Sequence, residues 1–267
     1  MAESPRWPDP FDFSLLDGLA SFRVRVLMLD YDGTLAPFRS ERMEAVPYPG
    51  VRPALEKLCA SGGTVVAIVS GRPVDEVLTL LGDDLPVDVW GAHGWERRTA
   101  EGRFETWKPS EEVQGVLEEA ARRGASRLPK GVLEVKSGSV AAHTRALTPA
   151  ERAAVQRVVQ TAWKPLAAAA GLHFRTFDGG YELRLSGRTK ATAVRVLRAE
   201  LVHDDAERAL FAYLGDDETD EDAFSELREG DWPILVRAKA RPSAARYQLV
   251  PPVDLLHFFD LWTIHSR

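Results

Sequence analysis

Cysteine is almost absent: Cys59 is the one such residue in 267. A lone thiol excludes an internal disulfide, and its place in the helical pattern PALEKLCASGG assigns it to packing rather than reactivity, which suits a reducing, cytoplasmic setting. No apolar run approaches the roughly 20 residues that a membrane helix needs. The amino terminus, MAESPRWPDPFDFSLLDGL, has no basic stretch leading into an uninterrupted apolar core, so the expectation is a soluble chain that is not exported. Positive charge is in deficit, with 34 Lys and Arg against 40 Asp and Glu, a net charge of -6 and a pI near 5.6. That balance opposes a nucleic-acid or anionic-membrane partner and requires any anion site to be local. Internal repeats are missing, and low complexity is confined to an alanine run that helix propensity explains. The seven tryptophans show no spacing suggestive of a cofactor site and read as packing and surface residues.

What is present is enough apolar residue, 45% of the chain, for one large domain or two modest ones. VRVLMLD reads as a buried strand, and VRPALEKLCASGG as a helix closed by Gly62 and Gly63. TVVAIVS, GRPVDEVLTLLGD and VDVWGAHG continue as strand, helix and strand, with Pro73 suited to the first helical turn. This order predicts a parallel sheet with helices on its faces. After about residue 100 the pattern changes to a helix, SEEVQGVLEEAARRGA, then GVLEVK and SVAAHTR as a hairpin about Ser137 and Gly138. One long helix, TPAERAAVQRVVQTAWKPLAAAAG, follows, and then HFRTF and YELRLS form a second hairpin about Asp178, Gly179 and Gly180. The first pattern returns with TKATAVRVLRAEL, RALFAYLGDD and DEDAFSELREG. It closes with short strands at ILVRA and RYQLV and the helix VDLLHFFDLW. The expected fold class is therefore α/β, a Rossmann-like core formed by residues 1–103 and 187–267, with an α+β unit inserted at 104–186.

Chemistry concentrates at strand and helix ends. VLMLDYDGTL drives an apolar strand into Asp30 and Asp32, two carboxylates two positions apart that repel unless a cation or proton lies between them. GDDETDEDAF places a second acidic cluster after another buried strand, and the carboxyl ends of parallel strands share one edge, where ligands bind. Clustered carboxylates there call for a hard divalent cation, and Mg²⁺ prefers a few oxygen ligands with water and phosphate. A carboxylate also serves as a nucleophile towards phosphorus, which assigns Asp30 the attack, and leaves Asp32 as the acid and then base. A transferring phosphoryl group needs positioned donors, and two features supply them. Ser70 and Gly71 of IVSGRP lie at the amino end of a helix, and Lys190 of GRTKATAV begins another.

Each feature alone has a plainer reading. DxDGT could be a turn or a calcium-type loop, Ser70 a helix cap, and Lys190 a solvated lysine opposed to the helix dipole. Thr219 and Asp222 resemble a capping box, so part of TDED could be helix chemistry. Glu134 and Lys136 could form a surface ion pair of little worth, and His143 and Arg145 on the neighbouring strand could face solvent. His93, in a glycine loop, could simply bond backbone.

Taken in order, DYDGTLAP, SGRP, the downstream lysine and GDDETDEDAF resemble the four motifs of the haloacid dehalogenase-like phosphatases. More narrowly, from about Val24 to the C-terminal helix, the chain resembles the trehalose-6-phosphate phosphatases, most specifically in TDEDAF. The resemblance implies that Asp30 is phosphorylated and that Asp32 is acid and base. It also implies that Mg²⁺ is held by Asp30, the backbone carbonyl of Asp32 and Asp216, with Asp217 and Asp220 as nearby carboxylates. It further implies that the insertion is a cap that closes over substrate, and that Glu134, Lys136 and Glu182 read sugar hydroxyls. Gly71, Arg72, His93, Gly94, His143 and Arg145 are the remaining candidate substrate contacts. Thr144 replaces a tyrosine usual in that family, and ELRLSGRTK lacks a common proline; both departures bear on which sugar is bound. The expected function is hydrolysis of trehalose 6-phosphate by a monomer with a functional link to trehalose-6-phosphate synthase. The alternatives are phosphatases of a glucosylglycerol or mannosylglycerate phosphate, and a non-catalytic sugar-phosphate sensor.

Overall fold

The computed structural model describes residues 6–177, 179–185, 187–204 and 208–266. The elements run from β1 (Asp9–Pro10) through a 3-10 helix (Phe13–Ser21) to β2 (Val24–Leu29), α1 (Val51–Ser61) and β3 (Val65–Val69). α2 (Val74–Leu81), β4 (Asp88–Gly91), β5 (Glu96–Arg98) and β6 (Phe104–Thr106) follow. Next come α3 (Glu111–Ala125), β7 (Leu133–Lys136), β8 (Ser139–His143), α4 (Pro149–Ala162), α5 (Lys164–Ala170), β9 (Leu172–Phe177) and β10 (Gly180–Leu185). The chain ends with α6 (Lys190–Leu201), β11 (Ala209–Gly215), α7 (Glu221–Phe224), β12 (Trp232–Val236), β13 (Tyr247–Leu249) and α8 (Val253–His265). No described helix is long and apolar enough to cross a membrane.

Two compact units result, one of residues 1–105 and 189–267 and the other of residues 106–188. The first holds a sheet in the order β1-β13-β12-β11-β2-β3-β4-β5-β6, parallel from β1 to β4, with β5 antiparallel to β4. β2 beyond Arg25 and β11 apart from the Tyr213 hydroxyl are apolar, as strands buried on both faces must be, and Leu27, Leu29, Leu210 and Leu214 are fully buried. In chain order β2, β3 and β4 step away in one direction, whereas β11, β12 and β13 step away in the other. The reversal falls between β2 and β11, and a crevice opens at the carboxyl ends of strands at such a point.

The second unit is a four-stranded antiparallel sheet, β7-β8-β10-β9, packed with α3, α4 and α5 around Leu117, Val140, Val155, Val159, Trp163 and Leu183. Lys136 pairs with Ser139, so Ser137 and Gly138 form a two-residue turn, and Phe177 pairs with Gly180 across the second hairpin. Asp178, expected in that turn, lies outside the described residues, as does Ser186 at the end of the expected strand YELRLS.

Several elements differ from expectation, and the helix expected over DEDAFSELREG is only the single turn Glu221–Phe224. The alanine-rich segment is two helices, interrupted at Trp163 (φ -100°, ψ -37°). Pro165 has no N–H to continue the ladder, and Trp163 is fully buried with its indole donating to the Ala120 carbonyl at 3.0 Å. The polar lead contains β1 and a 3-10 helix started by Asp12, whose carboxylate accepts from the Ser14 amide. Residues 96–106 add two three-residue strands at one end of the sheet, too short to show an alternation. Cys59 packs half-buried against the main core, and burial raises its thiol pKa, as suits an unreactive group.

Candidate active site

Asp30 leaves the end of β2 and Asp216 the end of β11, and the parallel register pairs Leu29 with Leu214. The Asp30 amide donates to the Leu214 carbonyl at 2.8 Å, which locks the two strand ends side by side. Gly33 (φ +89°) makes the approach possible: a Cβ there would lie 2.3 Å from an Asp216 carboxylate oxygen. Two acidic clusters 186 residues apart in sequence (216 minus 30) therefore meet at one point.

Lys190, the first residue of α6, is buried to 3% exposure and donates to Asp30 Oδ1 at 2.6 Å and Asp220 Oδ1 at 2.7 Å. These two carboxylates are the reason a cation tolerates the helix amino end. Asp220 accepts further from the Tyr213 hydroxyl at 2.8 Å on the same oxygen, and from the Asp216 and Asp217 amides at 3.1 and 3.0 Å on the other. Four donors fill the four lone-pair positions of a carboxylate. Asp220 is thus a brace joining Lys190, Tyr213 and the turn after β11.

The remaining oxygens behave otherwise. Asp30 Oδ2 and Asp216 Oδ1 are buried with no hydrogen-bond partner, an expensive state for a carboxylate. Asp30, Asp216 and Asp220 offer ligand atoms within 4.8 Å of one another. Burial first, and the charge of Asp220 next, push the Asp30 carboxyl up to about 8 despite the pull of Lys190. Burial, Asp30 and Asp220 hold Asp216 well above its ordinary value. Burial would pull the Lys190 ammonium down, but Asp220 and Asp30 more than reverse it. Three carboxylates against one ammonium leave a local surplus of negative charge. A divalent cation seated between Asp30 and Asp216 would remove that surplus and give the bare Asp216 oxygen a partner, so the donor set fits a hard metal ion.

The other expected residues fall as follows. Asp217 stands outside the carboxylate group: its Oδ1 accepts from the Glu218 amide and caps the short 3-10 turn Glu218–Asp220. The capping box there is Asp217 with Asp220, rather than the expected Thr219 with Asp222. The Asp32 side chain is taken by Arg72, which donates to Oδ2 at 2.6 Å and Oδ1 at 2.7 Å. Arg72, expected to touch substrate, instead spends its guanidinium on Asp32 and, at 3.4 Å, on Glu76. Ser70 follows β3 directly beside β2, and its hydroxyl accepts from the Arg72 amide at 3.1 Å. The N-cap of α2 is Pro73, so Ser70 is not a helix cap.

The loop after β4 is fastened to the one after β3, as the Ala92 amide donates to Arg72 O at 2.7 Å and the His93 amide to Ser70 O at 3.0 Å. Ala92 and His93 have φ of 48° and 56°, left-handed values uncommon away from glycine. A Cβ on Gly71 would lie 2.6 Å from the His93 ring, so Gly71 leaves room for that imidazole. This accounts for Gly71 by side-chain packing where the sequence suggested an approach to phosphate. Gly94, the third left-handed residue in succession, lies close to the Thr189 carbonyl beside α6.

Within residues 106–188, Glu134 and Lys136 point to one face of β7, and their charged ends are 3.3 Å apart. His143 Nε2 lies 2.7 Å from the same Glu134 carboxylate. Glu182, 5% exposed on β10, accepts from the Ser139 hydroxyl at 2.7 Å. Arg145 lies against Gly179 at the second hairpin, so the four expected strand residues form one face and Arg145 its end. Sequence reasoning missed Tyr213 and the Arg72–Asp32 pair. Tyr213 carried a signal, as the one hydroxyl in the otherwise apolar ALFAYLG; the arginine pair carried none.

An open parallel sheet with carboxylates from adjacent strands at its switch point defines the class: the fold is that of the haloacid dehalogenase-like phosphatases, shared with solved hydrolases of that kind. The chain belongs to the trehalose-phosphatase family, whose profile matches residues 28–252. A trehalose-phosphate phosphatase from Mycobacterium marinum is 32% identical over 253 residues, covering 91% of this chain and 62% of that protein. A bifunctional trehalose-6-phosphate synthase/phosphatase from Thermoproteus tenax is 32% identical over 232 residues, covering 83% of this chain and 30% of that protein. The chain thus spans less than two thirds of the length of these relatives. The solved C-terminal domain of trehalose-6-phosphate phosphatase from C. albicans shares the fold with a TM-score of 0.80 at 20% identity, covering 98% of this chain and 99% of that one.

Proposed function

We propose that this chain is a Mg²⁺-dependent phosphatase that hydrolyses trehalose 6-phosphate to trehalose and phosphate. The observation that carries the chemistry is the asymmetry of Asp30, one oxygen anchored by Lys190 and the other buried and bare. The bare oxygen attacks phosphorus, forming a P–O bond to the carboxylate as the bond to the sugar oxygen breaks. Asp32 gives its proton to the departing sugar alkoxide, then takes one from water. That water attacks the phosphorus of the aspartyl-phosphate, releasing inorganic phosphate and restoring the Asp30 carboxylate. Lys190 fixes the nucleophile's orientation, with Asp220 and Tyr213 fixing Lys190 in turn. Ser70 presents a donor to the phosphoryl oxygens. Asp30 and Asp216 hold Mg²⁺, which when bound offsets the charge of these carboxylates and of the phosphoryl group.

Residues 106–188 serve as the specificity unit, in which Glu134, Lys136 and Glu182 read sugar hydroxyls. The names of the relatives and the family support this substrate. A functional link to a trehalose-6-phosphate synthase is part of the same proposal, supported by the bifunctional relative. The test is phosphate release by purified protein with Mg²⁺ over a panel of sugar phosphates. Strong preference for trehalose 6-phosphate is expected, whereas equal or better turnover of a glucosylglycerol or mannosylglycerate phosphate would overturn the substrate, and binding without turnover would overturn the reaction.

A further inference from the structure

Arg72 is nearly sealed from solvent, 5% exposed, and its charge is directed at other side chains. Its Nε and one terminal nitrogen meet both oxygens of Asp32 in the parallel two-bond fork that a planar guanidinium forms with a carboxylate. Its other terminal nitrogen faces Glu76 Oε2 at 3.4 Å, and Arg42 donates to that same oxygen at 2.7 Å. The backbone of Arg72 is fixed as well, its amide by the Ser70 hydroxyl and its carbonyl by the Ala92 amide. The guanidinium carbon stands 5.6 Å from the centre of the Tyr31 ring, whose hydroxyl donates to the Ala45 carbonyl at 2.8 Å. Charges therefore alternate from the site outwards, Asp32, Arg72, Glu76, Arg42, on a guanidinium held from every side. Asp32 lies beyond the end of β2, in a turn whose backbone is closed by a bridge to Ala36, so the fork with Arg72 is what fixes its carboxylate.

We propose that Arg72 is a positioning residue for proton transfer: it orients the Asp32 carboxylate towards the sugar leaving group, and Glu76 with Arg42 holds the guanidinium in register. This rests on the phosphatase reading and assigns Arg72 a partner in the protein rather than in the substrate. The proposal separates two kinds of leaving group. A sugar alkoxide needs a proton as it departs, so misplacing Asp32 slows its release. p-Nitrophenolate needs none, so the first step on p-nitrophenyl phosphate is indifferent to where Asp32 points.

The experiment compares wild type, Arg72→Lys, Asp32→Asn and the double variant by single-turnover kinetics on trehalose 6-phosphate and p-nitrophenyl phosphate. Lysine keeps the charge but cannot form the two-bond fork. Arg72→Lys is expected to lower the sugar-phosphate rate by about 10- to 100-fold, part of the general-acid contribution, with KM little changed. The burst of p-nitrophenolate should stay within about threefold of wild type, and in the Asp32→Asn background Arg72→Lys should have no further effect on the sugar phosphate. Equal losses on both substrates, a raised KM with kcat intact, or an undiminished effect in the Asp32→Asn background would overturn the assignment. Should Arg72→Lys fail to fold, Glu76→Gln takes its place: a smaller loss confined to the sugar phosphate supports the proposal, and equal behaviour towards both substrates overturns it. Wild-type protein that releases no phosphate from any sugar phosphate would instead overturn the phosphatase reading on which the inference stands.

Discussion

The polar groups at the carboxyl edge of the large sheet and those on the small antiparallel sheet are built differently. At the large sheet, Asp30, Lys190, Asp216 and Asp220 are almost wholly buried, and backbone amides or buried donors fix most of their atoms. On the small sheet, Glu134, Lys136 and His143 are side-chain partners of one another, with side-chain exposures of 13%, 8% and 31%. The first arrangement suits chemistry, which needs unsolvated charge in a fixed place. The second suits recognition of hydroxyl groups, where side chains exchange partners with a ligand. The lesson is that strand ends at a switch point supply rigid charge, whereas a strand face supplies groups that are merely adjacent.

The comparison breaks most sharply at Asp30. Asp30→Asn removes the nucleophile but keeps its size, so turnover should fall by at least about a thousandfold while circular dichroism and the melting temperature stay near wild type. Activity retained within about tenfold would remove the distinction between the two regions. Next in size is Lys190→Met, which leaves Asp30 and Asp220 buried without their cation. A loss of about 3–5 kcal/mol in urea denaturation is expected, as for other broken buried pairs. By the same measurement Lys136→Met on the small sheet should cost less than Lys190→Met, because Glu134 keeps His143 within 2.7 Å.

Glu182→Ala should lower kcat/KM for trehalose 6-phosphate by about 10- to 100-fold, the worth of one buried charged hydrogen bond, while a small aryl phosphate is nearly unaffected. An equal loss on both would give Glu182 a structural role. A last prediction concerns stability against pH in metal-free protein. Asp30 holds its proton up to about 8 when folded but releases it near 4 when unfolded. Between those values the folded state binds more protons, so the stability contributed by this group is full below about 4 and is lost as pH rises to about 8. Melting curves should show that decline, and both Mg²⁺ and Asp30→Asn should flatten it.

How much was legible in the sequence follows from the same contrast. β2, β3 and β11 announced themselves because strands buried on both faces are nearly continuous apolar runs, and the carboxylates that follow β2 and β11 were adjacent in sequence to that signal. Glycine-containing turns likewise exposed the hairpins. The break at Trp163 stayed hidden because alanine propensity favours one helix, and only the buried indole and Pro165 oppose it. Within GDDETDEDAF the family resemblance set Asp216 apart, but the separate duties of Asp217 and Asp220 were illegible. Spacing makes Asp216, Asp217 and Asp220 equivalent acids, but the chain's bend after β11 turns Asp220 back onto two amides and turns Asp217 outwards to cap. The Arg72–Asp32 fork spans 40 positions and joins two loops, so no local pattern encodes it.

The claim that Asp30 accepts the phosphoryl group can be tested directly by quenching the enzyme during turnover of trehalose 6-phosphate, reducing with borohydride and mapping the modified peptide by mass spectrometry. An acyl phosphate is reduced to an alcohol, so homoserine at position 30 is the predicted result. Turnover with no modification at Asp30, or with the modification at Asp216 instead, would contradict it.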